Sequence, residues 1–435
     1  MNVVLLSGGS GKRLWPLSND LQSKQFLKLL KNERGEYESM VQRVFRQFKE
    51  AHPKVNVFVS CNKVQDDIIK RQLGDVETIL EPARRDTFPA IALAAAYLRY
   101  EKGFDENDAF LVCPIDVFAT SKYFELLSEV LQLTQNYTIG LLGAVPTYPS
   151  AKYGYILQSG GEVSGFVEKP SEKDAEGLIA DGALWNCGVF ALKIGYVLEH
   201  ARKYVSFDSY NSFLSQYANM TRISFDYAVT ETEKSIGAVI YDGIWKDLGT
   251  WNTLTEEMTD VCLGKNVLIS ENCSNTNVLN MLNVPVVVQD VSDTVVIASH
   301  DGILVTSKHG SSFLKPLAEQ ISQRPMYEQR RWGNYRVLDY KRSGENSSLI
   351  KRLTIDVGQS ISYQYHAKRS EVWVVVSGKG ILTIEETDSV VKDGSVVQIP
   401  VGAKHSLLAA TKLELVEVQL GKSELEEEDI VRITV

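Results

Sequence analysis

Met1-Asn-Val3-Val4-Leu5-Leu6-Ser7-Gly8-Gly9-Ser10-Gly11-Lys12-Arg13-Leu14-Trp15-Pro16 is the stretch that decides the fold. Its apolar run is unbroken and stops at a glycine cluster, which predicts a buried strand over Val3–Ser7. Gly8, Gly9 and Gly11 let the following turn bend sharply and bring bare backbone close to a ligand. Lys12 and Arg13 follow at once, and Lys24 stands a short loop later. Backbone N–H groups beside cationic side chains make a cradle for a polyphosphate. On these residues alone, a glycine turn with solvated charges explains the stretch as well. It is not a phosphate loop, which ends Gly-Lys-Ser/Thr. Nor is it a dinucleotide fingerprint, because Trp15-Pro16 stops the helix that should follow.

Up to about residue 145, short apolar runs alternate with amphipathic stretches. Strands are predicted at Val55–Ser60, Glu77–Leu80, Ala109–Cys113 and Ile139–Gly143. Helices are predicted at Tyr37–Phe48, Val64–Leu73, Pro89–Tyr100 and Tyr123–Thr134. This alternation predicts an α/β domain with a mainly parallel sheet covered by helices on both faces. Ligands then bind at the carboxyl ends of the strands.

Bulk properties limit the partners. A chain of 435 residues is too long for one core and suggests two or three domains. A net charge of −9 argues against a general nucleic-acid binder, so any anion site must be a local basic cluster. The five cysteines show no ligand spacing and sit mostly in apolar runs, which suits reduced thiols and the cytoplasm. Neither a secretory leader nor an apolar run of membrane-spanning length is expected.

Gly-Gly-x-Gly-x-Arg-Leu-x-Pro, with Lys24-Gln25-Phe26-Leu27 and Trp15, resembles the signature of sugar-1-phosphate nucleotidyltransferases, in the mannose-1-phosphate guanylyltransferase branch. The resemblance implies a Rossmann-like, GT-A-like domain whose loop holds GTP. It assigns the nucleotide to Leu6, Gly8, Gly9, Gly11, Lys12 and Arg13, with Arg13 and Lys24 acting on phosphate. Ser23 replaces the usual proline before the lysine, which is expected to loosen the loop.

Glu81-Pro-Ala-Arg84-Arg85-Asp86-Thr87-Phe88-Pro89 reads as a capped helix start whose first N–H groups are free to bind an anion or a base edge. In the guanylyltransferases the matching segment lies near guanine, which implicates Glu81, Arg85 and Thr87. Asp86 and Phe88 replace the usual asparagine and small residue. Ala109–Cys113 runs into Pro114-Ile115-Asp116; Pro114 is implied at the nucleotide. Asp116 either caps a turn or holds a magnesium ion on the triphosphate. Val117 stands where the family has histidine.

Five further segments match the family in order. Pro146-Thr147 with Tyr153-Gly154-Tyr155-Ile156, Phe166-Val-Glu168-Lys169-Pro170 and Trp185-Asn186-Cys187-Gly188 imply the sugar-phosphate ligands Tyr153, Gly154, Glu168, Lys169 and Asn186. Phe225-Asp226-Tyr227-Ala228-Val229 adds Asp226. Trp245-Lys246-Asp247 supplies Asp247 as the second magnesium carboxylate. Each segment is weak alone; their common order carries the resemblance.

Residues 256–328 read as a β-rich connector with a packing or dimerisation role and no recognisable chemistry. Within it, strands are predicted at Val284–Gln289 and Thr294–Ala298 and a helix at Ser311–Ser322. From 329 to 435 the chain turns to strand after strand and resembles the cupin β-barrel domain of type II phosphomannose isomerases. Gln364, His366, Glu371 and His405 fall at its ligand positions and imply zinc, cobalt or manganese. Three histidines of the isomerase run are Ala367, Lys368 and Val372 here, so the natural proton carriers of an isomerase are missing.

The expected reaction is GTP plus mannose 1-phosphate giving GDP-mannose and pyrophosphate, catalysed with Arg13, Lys24, Asp116 and Asp247 by a residues 1–255 domain, in a homo-oligomer, expected to be a dimer. Another sugar phosphate, another base, or a non-catalytic nucleotide-sugar sensor stay open on sequence alone.

Overall fold

The computed structural model describes residues 1–8, 11–19, 21–159, 162–422 and 429–433. The chain divides into two compact units. One comprises Met1–Leu14, Ser23–Val261 and Ser307–Lys315; the other comprises Trp15–Gln22, Cys262–Thr306 and Pro316–Val435. Among the described residues no helix is long and apolar enough to cross a membrane.

The first unit is built on a nine-stranded sheet. Asn2–Leu6 lies at its centre, parallel to Asn56–Asn62 on one side and to Ala109–Pro114 on the other. Glu77–Glu81 extends the parallel set beyond Asn56–Asn62. Side chains of a strand alternate between faces. Val3 and Leu5 therefore enter the core under the helices Met40–Ala51, Lys63–Leu73 and Ser121–Gln132, and Val4 enters the core under Thr87–Tyr100 and Ile194–Arg202. Thr87–Tyr100 is buried almost all round, because its Ala90–Ala96 face has no polar side.

The strands that the first 145 residues give to this sheet run in one direction, as expected, and the whole sheet becomes mixed only through later strands. Leu184–Lys193 runs antiparallel between Ala109–Pro114 and Ile139–Ala144, and Ile236–Tyr241 pairs parallel outside the latter. The cause is connectivity: Leu184–Lys193 returns from the sugar-side segment in the opposite direction. Other boundaries shift by a few residues. The helix expected from Tyr37 begins at Met40, because Ser39 closes a capping box with Gln42 and Tyr37–Glu38 pairs as a strand. The helix expected over 311–322 is a 3₁₀ turn, Gly310–Phe313, followed by the short helix Lys315–Ala318.

In the second unit, Cys262–Gly264, Asn277–Asn280 and Thr294–Ser299 stack in parallel, and Val267–Ile269 lies parallel to Val286–Val288. Val278, Val288 and Val296 fill the small core of these coils. The remainder forms a six-stranded and a five-stranded sheet, antiparallel, whose shared core holds Leu353, Trp373, Leu407 and Leu415. This is the cupin arrangement expected.

Candidate functional site

A cavity of about 460 Å³ opens at the carboxyl end of the parallel strands. Gly8, Arg13, Lys24, Thr87, Pro114 and Asp116 line it from the expected nucleotide set, Tyr153, Lys169 and Asn186 from the sugar set, and Asp247 joins them. Leu6, Lys12, Glu81, Arg85, Gly154, Glu168 and Asp226 stand outside its lining. Gly11 opens a 3₁₀ turn, Gly11–Leu14, and Gly9 lies outside the described residues.

Lys24 is the centre of the site. Its Nζ lies 2.9 Å from Oδ2 of Asp116 and 2.8 Å from Oδ1 of Asp247. The two carboxylates converge because Val117–Ala119 and Trp245–Asp247 pair antiparallel, setting Asp247 opposite Val117, the neighbour of Asp116. Asp116 is not a buried strand end: the strand stops at Pro114, and Asp116 sits half-buried in the turn after it. Burial pulls the Lys24 ammonium down, but Asp116 and then Asp247 outweigh it and hold it well above the ordinary lysine value. Burial would raise the Asp247 carboxyl; Lys24 first, then Arg13 and Lys152, bring it below the usual range. Ser23, expected to loosen the loop, has a partner here. Its buried hydroxyl accepts from Gln65 Nε2 at 3.0 Å, which ties it to the neighbouring helix.

On the helix Thr87–Tyr100 the expected free N–H groups are partly taken. Asp86 Oδ1 accepts from the Thr87 N–H at 2.8 Å, and the Phe88 N–H donates to the Ile223 carbonyl at 3.2 Å. Phe88 is buried against Phe225 and Tyr204, so its bulk faces the core and not the cavity. Glu81 accepts from the Ser60 hydroxyl at 3.1 Å and the Tyr217 hydroxyl at 3.2 Å. Burial raises its carboxyl above the ordinary glutamate value. Arg85 Nε is buried with no hydrogen-bond partner.

On the sugar side, a register shift in Leu184–Lys193 turns Cys187 and Gly188 toward the cavity, and Gly188 takes φ +69°, which favours glycine. Asn186 Nδ2 donates to Asp226 Oδ1 at 2.9 Å, and its Oδ1 accepts from the Gly188 N–H at 3.0 Å. Glu168 pairs with Lys169. A Cβ on Gly154 would meet Glu168 Oε2 at 2.5 Å and Phe166 Cζ at 2.6 Å, so the missing side chain makes room for that carboxylate. Asp226 opens a π-helical turn, Asp226–Thr230.

Burial, with Glu168 adding to it, pushes the Asp226 carboxyl up to about 7 from an ordinary 3.8. The folded chain thus keeps a proton that the unfolded chain releases. That contribution is complete below the unfolded value and is lost as pH rises through the folded one. Asp226→Asn should therefore gain stability relative to the native chain as pH rises from about 4 to about 7, and hold that gain above it. Thermal midpoints measure this; a constant difference across the range would show an ordinary carboxyl.

Residues outside the expected set also line the cavity: Gln25, Lys152, Lys246 and Lys315 among them. Gln25 and Lys246 stand inside recognised segments and Lys152 adjoins one, so neighbourhood was the available signal. Lys315 comes from the stretch expected to carry no chemistry, and only the fold returns it to this unit.

A second cluster lies in the cupin sheets. Ring nitrogens of His366 and His405 and a carboxylate oxygen of Glu371 lie within 4.8 Å of one another, all buried. His366 Nε2 is 3.1 Å and His405 Nε2 is 3.8 Å from Glu371 oxygens. Both His366 ring nitrogens and His405 Nε2 lack a hydrogen-bond partner. His405 Nδ1 lies 2.9 Å from the Ala403 carbonyl, which can only accept, so Nε2 carries the lone pair. Burial lowers the His405 pKa, favouring the neutral ring. Gln364 stands opposite His405 in register and accepts from the Ser362 hydroxyl at 2.8 Å.

Comparison with known proteins agrees with both units. The nucleotidyl transferase family model matches residues 2–263, and the mannose-6-phosphate isomerase C-terminal model matches 319–435. The chain is 32% identical to a mannose-1-phosphate guanylyltransferase of Escherichia coli K12, over 99% of this chain and 97% of that one. It is 31% identical to the xanthan biosynthesis protein XanB of Xanthomonas campestris, over 99% and 97%. A solved structure from Thermus thermophilus, described as a mannose-1-phosphate geranyltransferase, superposes with a TM-score of 0.61 at 27% identity, over 74% of this chain and 99% of that one. A chain that matches on fold, motif order and full length in this way belongs to the nucleotidyl transferase family, in its mannose-1-phosphate guanylyltransferase branch.

Proposed function

We propose that this chain makes GDP-mannose and pyrophosphate from GTP and mannose 1-phosphate. An oxygen of the sugar phosphate forms a bond to the α-phosphorus of GTP, and the bridge to the β-phosphate breaks, its electron pair leaving with pyrophosphate. The observation that carries this reading is Lys24 held between Asp116 and Asp247, in a cavity walled by Gly8 and Arg13 on one side and by Tyr153, Lys169 and Asn186 on the other. Two carboxylates converging on one cation are a hard oxygen donor set that fits magnesium. Bound there, magnesium would neutralise charge on the triphosphate oxygens. Arg13 and Lys24 would bind the phosphates and stabilise the leaving pyrophosphate. Lys169 would take the sugar phosphate, and Asn186, oriented by Asp226, a sugar hydroxyl. Gly8–Lys12, with Leu6 and Pro114 at the strand ends, would hold the nucleotide, and Glu81, Arg85 and Thr87 would face the base.

Pyrophosphate release across a panel of nucleoside triphosphates and sugar 1-phosphates tests the reading. GTP with mannose 1-phosphate should be the best pair; a better pair would replace it, and binding of GTP without turnover by any sugar phosphate would favour a sensor. The relation to XanB supports a place in polysaccharide synthesis. The free thiols of all five cysteines support a reducing compartment such as the cytoplasm. Exposed Leu268, Val287, Ile303 and Val305 support a dimer through the 256–328 region, which a monomeric mass by light scattering would overturn.

For the 329–435 domain, we infer a metal site without isomerase activity. Unpartnered buried imidazole nitrogens beside a carboxylate fit zinc, cobalt or manganese, with Gln364 as a further oxygen ligand. One equivalent of such an ion should bind, and His366→Ala with His405→Ala should abolish binding, as calorimetric titration would show. Fructose 6-phosphate should not convert to mannose 6-phosphate with any of the three metals; conversion would restore the isomerase.

A further inference from the structure

We propose that Lys152 is a second cationic contact for the phosphate of the sugar 1-phosphate and sets affinity for that substrate; this rests on the transferase reading above. Lys152 lines the cavity beside Tyr153, Lys169 and Asp247, yet belongs to no segment that marks the family.

Its side chain is exposed, but its backbone is anchored. The Lys152 N–H donates to Ser150 Oγ at 3.2 Å. The Ser150 N–H donates to the Tyr155 hydroxyl at 3.0 Å, and that hydroxyl donates back to the Ser150 carbonyl at 3.1 Å. Tyr155 is fully buried and also accepts from Trp185 Nε1 at 3.0 Å. On the other flank, the Tyr153 carbonyl accepts from the Lys169 N–H at 3.2 Å. The Tyr153 ring packs on Trp185 and Trp245, centroids 5.1 and 5.0 Å apart, and Trp245 lies two residues before Asp247. Lys152 is thus mounted between the lysine of the sugar side and a carboxylate of the metal side. Its charge acts on the Asp247 carboxyl, alongside Lys24 and Arg13.

This position decides which phosphate it meets. Gly8 and Arg13, for the triphosphate, come from the far end of the first strand, whereas the loop of Lys152 is tied to that of Lys169. Lysine is a compact charge on a flexible stem, suited to meeting a phosphate that arrives. A cation on the attacking phosphate helps to hold it but does not make its oxygen more nucleophilic. The effect therefore belongs in KM for the sugar phosphate rather than in kcat.

The test is steady-state pyrophosphate release by native, Lys152→Met and Lys152→Arg proteins, varying each substrate while the other saturates. Lys152→Met should raise KM for mannose 1-phosphate by about tenfold, the worth of a charge-assisted contact, with kcat and KM for GTP within about twofold. Lys152→Arg should recover most of the loss, and thermal midpoints should not move. An unchanged KM for mannose 1-phosphate in an active Met variant overturns this assignment alone, and a rise in KM for GTP instead moves the lysine to the triphosphate and also overturns it. A native protein that releases no pyrophosphate from any pair overturns the transferase reading and this inference with it.

Discussion

Asp247→Ala should lower kcat for pyrophosphate release from GTP and mannose 1-phosphate by about 10³-fold, the scale of losing one preorganised electrostatic stabiliser of the transition state. The native geometry explains the size. Asp247 and Asp116 share one ammonium, at 2.8 and 2.9 Å, and Arg13 and Lys152 act on the same carboxylate. Removing Asp247 leaves three cations around a single carboxylate. A divalent ion would also lose one of its two protein ligands, so the variant should need more magnesium for half-maximal rate. Asp247→Asn keeps the shape and removes the charge, and should behave like alanine if charge is what matters. Activity within about threefold of native in both variants would remove Asp247 from the mechanism.

In the metal-free protein, Arg369→Met should destabilise the cupin sheets by about 3–5 kcal/mol, the cost of leaving a buried carboxylate without its arginine. Glu371 is only 2% exposed and accepts from Arg369 Nε at 3.0 Å, Trp373 Nε1 at 3.1 Å and Gln419 Nε2 at 3.3 Å. Burial alone would raise its carboxyl, but the groups around it, His366 foremost and Arg369 among them, hold it well below the ordinary range. Glu417 is buried close by, bridged through Gln419, and its carboxyl is raised first by burial and then by Glu371. Arg369 and Lys351 are the cations acting on this acidic pair. Without Arg369, protonation or unfolding must relieve the charge. Denaturant unfolding followed by a probe in those sheets measures the loss, and adding Glu371→Gln should recover much of it through the double-mutant cycle. A change below about 1 kcal/mol would show the arginine to be replaceable.

Much of the first unit was legible because its signals are local. The run Val3–Leu6 and its glycines, and the capped helix start before Pro89, each state their conformation within a few residues. The strand and helix positions expected up to residue 145 differ from those observed by only a few residues, most at capped ends such as Ser39. The antiparallel strand Leu184–Lys193 was less legible, since strand pairing depends on which segment returns where. The segment 311–322 misled because an amphipathic pattern does not measure length: the helix there is only Lys315–Ala318. Phe88 and Asp86 looked like changes in a base site, yet one is core and the other a cap.

The sequence by itself determined the chemistry available: a glycine loop with cations, carboxylates just after apolar runs, and imidazoles at cupin spacing. These are properties of residue type and short-range order, which survive without knowing the fold. Only the tertiary structure decided which groups meet. Lys24 and Asp247 lie 223 positions apart and touch because two short strands pair. Ser23 is held by Gln65, and Lys152 and Lys315 reach the cavity, for the same reason. Charge and hydrogen bonding act over a few ångströms of space, and distance along the chain does not measure that space.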